Sequence, residues 1–277
     1  MLNIIRASLF KLFRDRTFIV TAIIGVVLAA FMLGIYALID HFIDTSSEGG
    51  VRHLLLTGEN FYLSALTPGT SFGIMVPINL IVFTVGEFTY GTIRNKIIAG
   101  LSKTKIYFGL FITGLVFTFI LAGGYALITI GLGSIIGGFH VDLIGGVNFA
   151  LCYFAYVVCS YILVTAISIF FATLVRNVGG TIAVVIIILV FLASIAPVFQ
   201  QLMPHTVNPT YPSEHWMMWV NPLYMAGTYG GSFASMINLN SYSQSPSMVA
   251  SGVTMPLVWS IVFVAAGLLI FKHTDVK

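Results

Sequence analysis

The sequence predicts an all-α, polytopic membrane protein of six transmembrane helices, with a short amphipathic helix at the membrane interface ahead of the first. Three observations carry the prediction. Hydrophobic residues make up 58% of the 277 and charged residues only 8%, with a mean hydropathy of +1.02, whereas a water-facing surface calls for roughly 25% charge. Six apolar runs are long enough to cross a hydrocarbon core of roughly 30 Å, which takes about 20 helical residues. Finally, eleven of the 12 Lys and Arg fall in alternate segments between those runs. The positive-inside rule then puts both termini and the second and fourth connections in the cytoplasm.

Residues 2–16 come first. Leu2, Ile5, Leu9, Leu12 and Phe13 fall on one side of a helix and Asn3, Lys11, Arg14 and Asp15 on the other, the pattern of a helix lying in the cytoplasmic interface. The run Thr17–Ile39 follows four basic residues as a secretory signal would, but it exceeds the roughly 7–15 apolar residues of a signal's core. It is expected to be a retained first span. The other spans are placed at 67–86, 106–128, 149–174, 178–199 and 252–271, and no span contains Asp, Glu, Lys, Arg or His. Small residues four apart (Gly25 and Ala29, Ala30 and Gly34, Gly133 and Gly137) suit close helix packing. The whole chain, 1–277, reads as one transmembrane domain.

Several activities are excluded by what is missing. Lys103-Thr104 follows Ser102 rather than the glycine of a nucleotide-cradling loop, so no ATPase activity is expected of this chain. No H-E-x-x-H occurs, and the six histidines lie between the spans or in the tail without a paired ligand spacing, so no metal site is expected. Ser71 has no histidine in any span to act as its base. Proton-driven transport usually needs an ionisable group in the bilayer. Net charge is only +3, too little for nucleic acid. Cys152 and Cys159 share one predicted span, about 10 Å apart, too far for a disulfide.

The second connection, residues 87–105, carries the clearest functional signal. Glu87 stands at the membrane edge, Tyr90, Ile93 and Ile97 follow at helical spacing, and Arg94, Lys96, Lys103 and Lys105 are interleaved. Two readings fit a short amphipathic helix of this kind: one resting on anionic headgroups, or one docking on a cytoplasmic partner. In the second span, Pro77 predicts a kink, and Asn79 needs either an interhelical partner or a polar pathway. The segment 200–251 lacks Lys and Arg but contains five prolines with Trp216, Trp219, Tyr211, Tyr224 and Tyr229. It suits an interfacial cap, or an external gate for an amphipathic substrate.

The stretch GEFTYGTIRNKIIAGLSKTKIY resembles the first cytoplasmic loop of type-two ATP-binding-cassette (ABC) exporter permeases, of the bacterial branch linked to bacitracin, lantibiotic and other peptide export or immunity. Glu87, Gly91, Thr92, Arg94 and Lys96 match that pattern, while Ala99-Gly100-Leu101 stands where many relatives have a proline. AISIFFATLVRNVGGTIAVVI around Arg176 and WVNPLYMAG at Trp219–Gly227 are similar to later parts of the family, so the resemblance covers most of the chain. It implies a subunit of the bacterial cell membrane that pairs with a second copy or a paralogous permease. Two separate ABC ATPase subunits would bind ATP and magnesium and push on residues 87–105, and the permease itself would hold no cofactor. It further implies export of a hydrophobic or amphipathic substrate, a peptide antimicrobial first among them, with Phe72, Met75, Asn79 and Phe83 lining the path. A passive channel, or a membrane enzyme or scaffold without transport, is the alternative.

Overall fold

The computed structural model describes residues 2–44, 57–66, 68, 71–140, 146–202, 220–223 and 246–273. Among these, nine α-helices and one 3-10 turn appear and no strand. They are α1 (Leu2–Arg14), α2 (Arg16–Asp44), α3 (Gly58–Leu66), the 3-10 turn Ser71–Ile74, α4 (Met75–Thr89), α5 (Thr92–Ile98), α6 (Lys103–Gly137), α7 (Gly146–Val175), α8 (Val178–Leu202) and α9 (Pro246–His273). Six of them, α2, α4 with its 3-10 turn, α6, α7, α8 and α9, are long and apolar enough to cross a membrane. The chain is an all-α, multi-pass membrane protein.

Five of the predicted spans recur with longer ends, while the second, expected at 67–86, is shifted along the chain to Ser71–Thr89. Backbone hydrogen bonds propagate a helix past the hydrocarbon edge as readily as within it, so the run 106–128 becomes Lys103–Gly137 and the run 149–174 becomes Gly146–Val175. Side chains set the starts: Asp15 Oδ1 accepts from Thr17 N (3.0 Å) ahead of α2, and Asn177 Oδ1 accepts from Gly179 N (3.0 Å) ahead of α8, each in an N-cap position. Of the segment 200–251, the structure describes the end of α8, Val220–Leu223 and the start of α9; the expected cap or gate otherwise lies outside the described residues. Asn221 is buried there, donating Nδ2 to Leu192 O of α8 (2.8 Å) while Oδ1 accepts from Leu223 N (3.0 Å).

Two predicted features change. Pro77 is the third residue of α4, where a helix needs no amide donor, so it sets the start of the helix instead of kinking a span. The second crossing is also preceded by α3, which the sequence did not announce. Both α3 and α4 run antiparallel to α6: Gly58 N donates to Gly138 O (2.9 Å), Phe61 lies on Gly133, the Phe72 ring stacks on Tyr125 (4.7 Å), and Phe83 stacks on Phe117 (6.3 Å). Tyr62 OH donates to Ala150 O (2.6 Å) and Tyr153 OH to Leu63 O (2.8 Å), tying α3 to α7 as well.

Within the bilayer the hydroxyls mostly turn back on their own helices, as with Thr113 on Gly109 O and Ser168 on Val164 O, because no water is present to receive them. Thr118 and Thr165 bond across α6 and α7 (3.0 Å). Two of the predicted small-residue pairs serve close packing. Gly25 meets Phe72 beside the buried Ala29, and a Cβ at Gly133 would sit 2.4 Å from Phe61. The third does not, since Ala30 is exposed and Gly34 has nothing within 4 Å. Cys152 and Cys159 are free thiols.

Gly133→Ala is therefore expected to push α3 off α6 and lower stability by about 1–3 kcal/mol, the usual cost of overpacking. Gly124→Ala, at a position with nothing within 4 Å, is expected to leave stability unchanged. Thermal unfolding of both variants in the same detergent checks the contrast.

Candidate functional site

The site is built where α1, α4, α5, α6 and α9 meet the α7–α8 turn, at the end of the bundle that collects Lys and Arg. After α4 the chain reverses through Tyr90 and Gly91. Tyr90 N donates to Gly86 O (2.9 Å) and Gly91 N to Phe88 O (3.2 Å), with Gly91 at φ 67°, a conformation a side chain disfavours. α5 closes just as tightly. Gly100, at φ 83°, donates to Ile97 O (2.9 Å) and Leu101 N donates to Lys96 O (3.2 Å), the paired 6→1 and 5→2 bonds of a Schellman cap. Ala99-Gly100-Leu101 thus ends the helix sharply without a proline. Ile93 is fully buried and Ile97 partly so, against Ile106, Tyr107, Leu110, Ile169 and Phe271. α5 is consequently clamped to α6 and α9 by its apolar side.

The polar side is held by one carboxylate. Glu87, on the last turn of α4, is buried. Its Oε1 pairs with the ammonium of Lys11 on α1, its Oε2 with Lys96 Nζ on α5 (2.9 Å), and Thr92 Oγ1 lies 2.8 Å from Oε2 and 2.7 Å from the Glu87 carbonyl. A carboxylate out of water is tolerated only when its lone pairs and charge are answered. Here both oxygens are, from two different helices.

The neighbouring turns are locked to the same place. Arg176 between α7 and α8 has φ 54° and carries its guanidinium 5.5 Å from the Phe88 ring centre. Phe88 in turn meets Phe271 of α9 edge-on (6.1 Å), and Lys103 Nζ donates to Lys272 O (2.9 Å) at the end of α9. The Tyr107 ring packs on Phe271 (5.9 Å), with its hydroxyl against Gly267, where a Cβ would lie 2.1 Å away.

Of the predicted coupling residues, Glu87, Thr92 and Lys96 come together, Gly91 makes the turn, and Arg94 is exposed on the outer side of α5 with Tyr90 (79% exposed) and Ile98. Lys11 was not singled out, because in the sequence it is one of four bases in a short amphipathic stretch. Its position corrects the expected sidedness of α1: Leu9 and Leu12 do turn inward, but Lys11 follows them toward Glu87 while Phe13 is half exposed. Ser8, Leu9 and Leu12 of α1 thus pack on the bundle while Arg6, Phe10 and Arg14 are exposed; the side chains of Leu2 and Ile5 lie outside the described residues.

The four predicted path residues separate. Phe72 and Phe83 are buried in the core of the chain, whereas Met75 and Asn79 open outward on one stripe of α4 with Val82 and Gly86. Asn79 finds no interhelical partner; its Nδ2 donates to Met75 O of its own helix (2.8 Å). No group of three or more metal-ligating residues occurs among the described residues.

No protein-family model matches the chain, and no curated protein sequence matches it.

Glu87→Gln removes the charge that answers both ammonium groups. Backbone hydrogen exchange in residues 8–14 and 92–98 is expected to speed up by about tenfold, as for a lost charged hydrogen bond, while Arg94→Gln leaves both segments unchanged.

Proposed function

We propose that this chain is the membrane-spanning subunit of an ABC exporter, driven by ATP that separate ATPase subunits hydrolyse. One observation carries the reading: the α4–α5 hairpin is rigid on its inner side and open on its outer side. Glu87 ties it to α1, and Ile93 and Ile97 tie it to α6 and α9. Tyr90, Arg94 and Ile98 are left exposed at the tip. A push delivered there reaches α1, α6 and α9 without first being absorbed by a loose loop. Rigid elements with shared contacts are what carry displacement between distant sites.

The resemblance of residues 86–107 to the first cytoplasmic loop of such permeases supports the same reading. So does the charge asymmetry, which by the positive-inside rule suits a cytoplasmic position for this end and both termini; the membrane in this reading is that of a bacterial cell. In this account two permease subunits, identical or paralogous, face each other and two ATPases bind ATP and magnesium beneath them. The outward stripe of α4, with Met75 and Asn79, favours that arrangement. An amide about 15 Å from the end of its helix is costly against lipid and is better served by a second subunit or a polar path. The substrate is a hydrophobic or amphipathic molecule, with a peptide antimicrobial first among the candidates.

Co-purification in mild detergent tests the reading. The wild-type chain is expected to bring down an ATPase carrying nucleotide-binding motifs in stoichiometric amount. Arg94→Glu, which alters the exposed tip without touching the Glu87 network, is expected to lower recovery at least tenfold. Failure of the wild type to retain any ATPase, or full recovery and full substrate-stimulated hydrolysis with both Arg94→Glu and Glu87→Lys, would overturn it.

A further inference from the structure

The opposite end of the bundle contains a second buried carboxylate. Glu59 lies in the first turn of α3, with its side chain 4% exposed. Oε1 accepts the backbone N–H of His140, in the α6–α7 turn, and His140 Nδ1 lies 3.4 Å from the same oxygen. Oε2 is buried and has no hydrogen-bond partner among the described residues. The described Lys and Arg all belong to the Glu87 end, so none of them answers this charge.

The described tyrosines packed around α3 do not answer it either. Tyr62 is engaged with Ala150 O, and burial pushes its hydroxyl up to about 12, so it remains a donor. Tyr153 of α7 gives its hydrogen to Leu63 O. Tyr36 of α2 meets Phe61 with its ring (5.5 Å), and α2 runs on to Asp40, His41 and Asp44. Among the described residues, the imidazole of His140 is the one titratable group held against Glu59 and also open to solvent, at 69% exposed.

An ionised carboxylate in this position keeps one oxygen dry and unmatched, which is among the costliest arrangements in a folded chain. A single proton removes the difficulty in either of two ways. It neutralises Glu59 directly, or it charges His140 and gives the carboxylate a counter-ion at 3.4 Å. We propose that Glu59 and His140 together bind one proton from the solution at this end of the bundle, and that this proton fastens α3 to the α6–α7 turn. The pair has the two requirements of such a site: a buried group that needs the proton and an exposed one that exchanges it with water. Loss of the proton leaves the carboxylate unanswered and loosens α3, so the attachment weakens as pH rises. No partner subunit or nucleotide is involved, and the proposal stands apart from the exporter reading.

Hydrogen exchange of residues 57–66 in the full-length chain, reconstituted in phosphatidylcholine nanodiscs and expressed as protection factors between pH 5 and 9, tests it. In the wild type, protection is expected to fall at least tenfold across the range, while residues 103–110 at the other end keep theirs. Glu59→Gln retains an acceptor for His140 N–H but cannot ionise, so its protection is expected to be independent of pH. His140→Ala is expected to shift the midpoint of the fall by at least one pH unit. A wild-type profile flat in pH, a Glu59→Gln profile that falls like the wild type, or a midpoint unmoved by His140→Ala would each overturn the proposal.

Discussion

Everything at the basic end depends on how Glu87 is answered. A buried carboxylate needs both its oxygens satisfied, and the chain meets that need with three side chains from two helices: Lys11 on α1, and Thr92 and Lys96 one turn apart on α5. The consequence runs outward from the charge. α1 is drawn against the bundle, α5 is folded back under α4 through a left-handed glycine, and the apolar side of α5 is pressed onto Tyr107 and Phe271. Because Phe88 is the next residue, the same stretch of α4 also holds Arg176 and, through Phe271, the end of α9.

The other end is organised by shape as much as by charge. α3 fits α6 because Gly133 leaves room for Phe61, and Gly58 is small enough to lie against Ser134. Phe72 then stacks on Tyr125 while its edge fills the space above Gly25, so three helices share one ring. Most of the membrane-embedded hydroxyls satisfy themselves locally. Specificity among the spans therefore comes mainly from where large rings meet small residues, with Thr118 and Thr165 adding an interhelical bond.

The spans were legible in the sequence because a hydrocarbon core imposes one requirement, an uninterrupted apolar run, and the chain meets it six times. What the sequence concealed depends on pairings between distant positions. α3 is only nine residues long and its GENFYLSAL is too short and too polar to register as a periodic element; it forms because α6 and α7 supply a surface for it. Pro77 looked like a kink only while its distance from the helix start was unknown. In the loop, Glu87, Gly91, Thr92 and Lys96 were identifiable from residue type and order, yet Lys11 was not, since nothing local separates it from Arg6 or Arg14. Phe72 and Phe83 were grouped with Met75 and Asn79 by their shared span; spacing alone did not say which of these residues faced inward.

The length of α6 carries a consequence for the membrane around the protein. Its 35 residues extend about 52 Å, and a tilt of up to about 40° still leaves its far end beyond a core of roughly 30 Å. That end carries Ile135 at 80% exposure, and α7 beside it carries Leu151 at 63%. Such side chains favour a thicker bilayer or a locally raised leaflet, and either deformation has an energy that grows with mismatch. Bilayer thickness, set by acyl-chain length, is thereby a variable to which the α6–α7 hairpin responds even when every residue of the chain is unchanged.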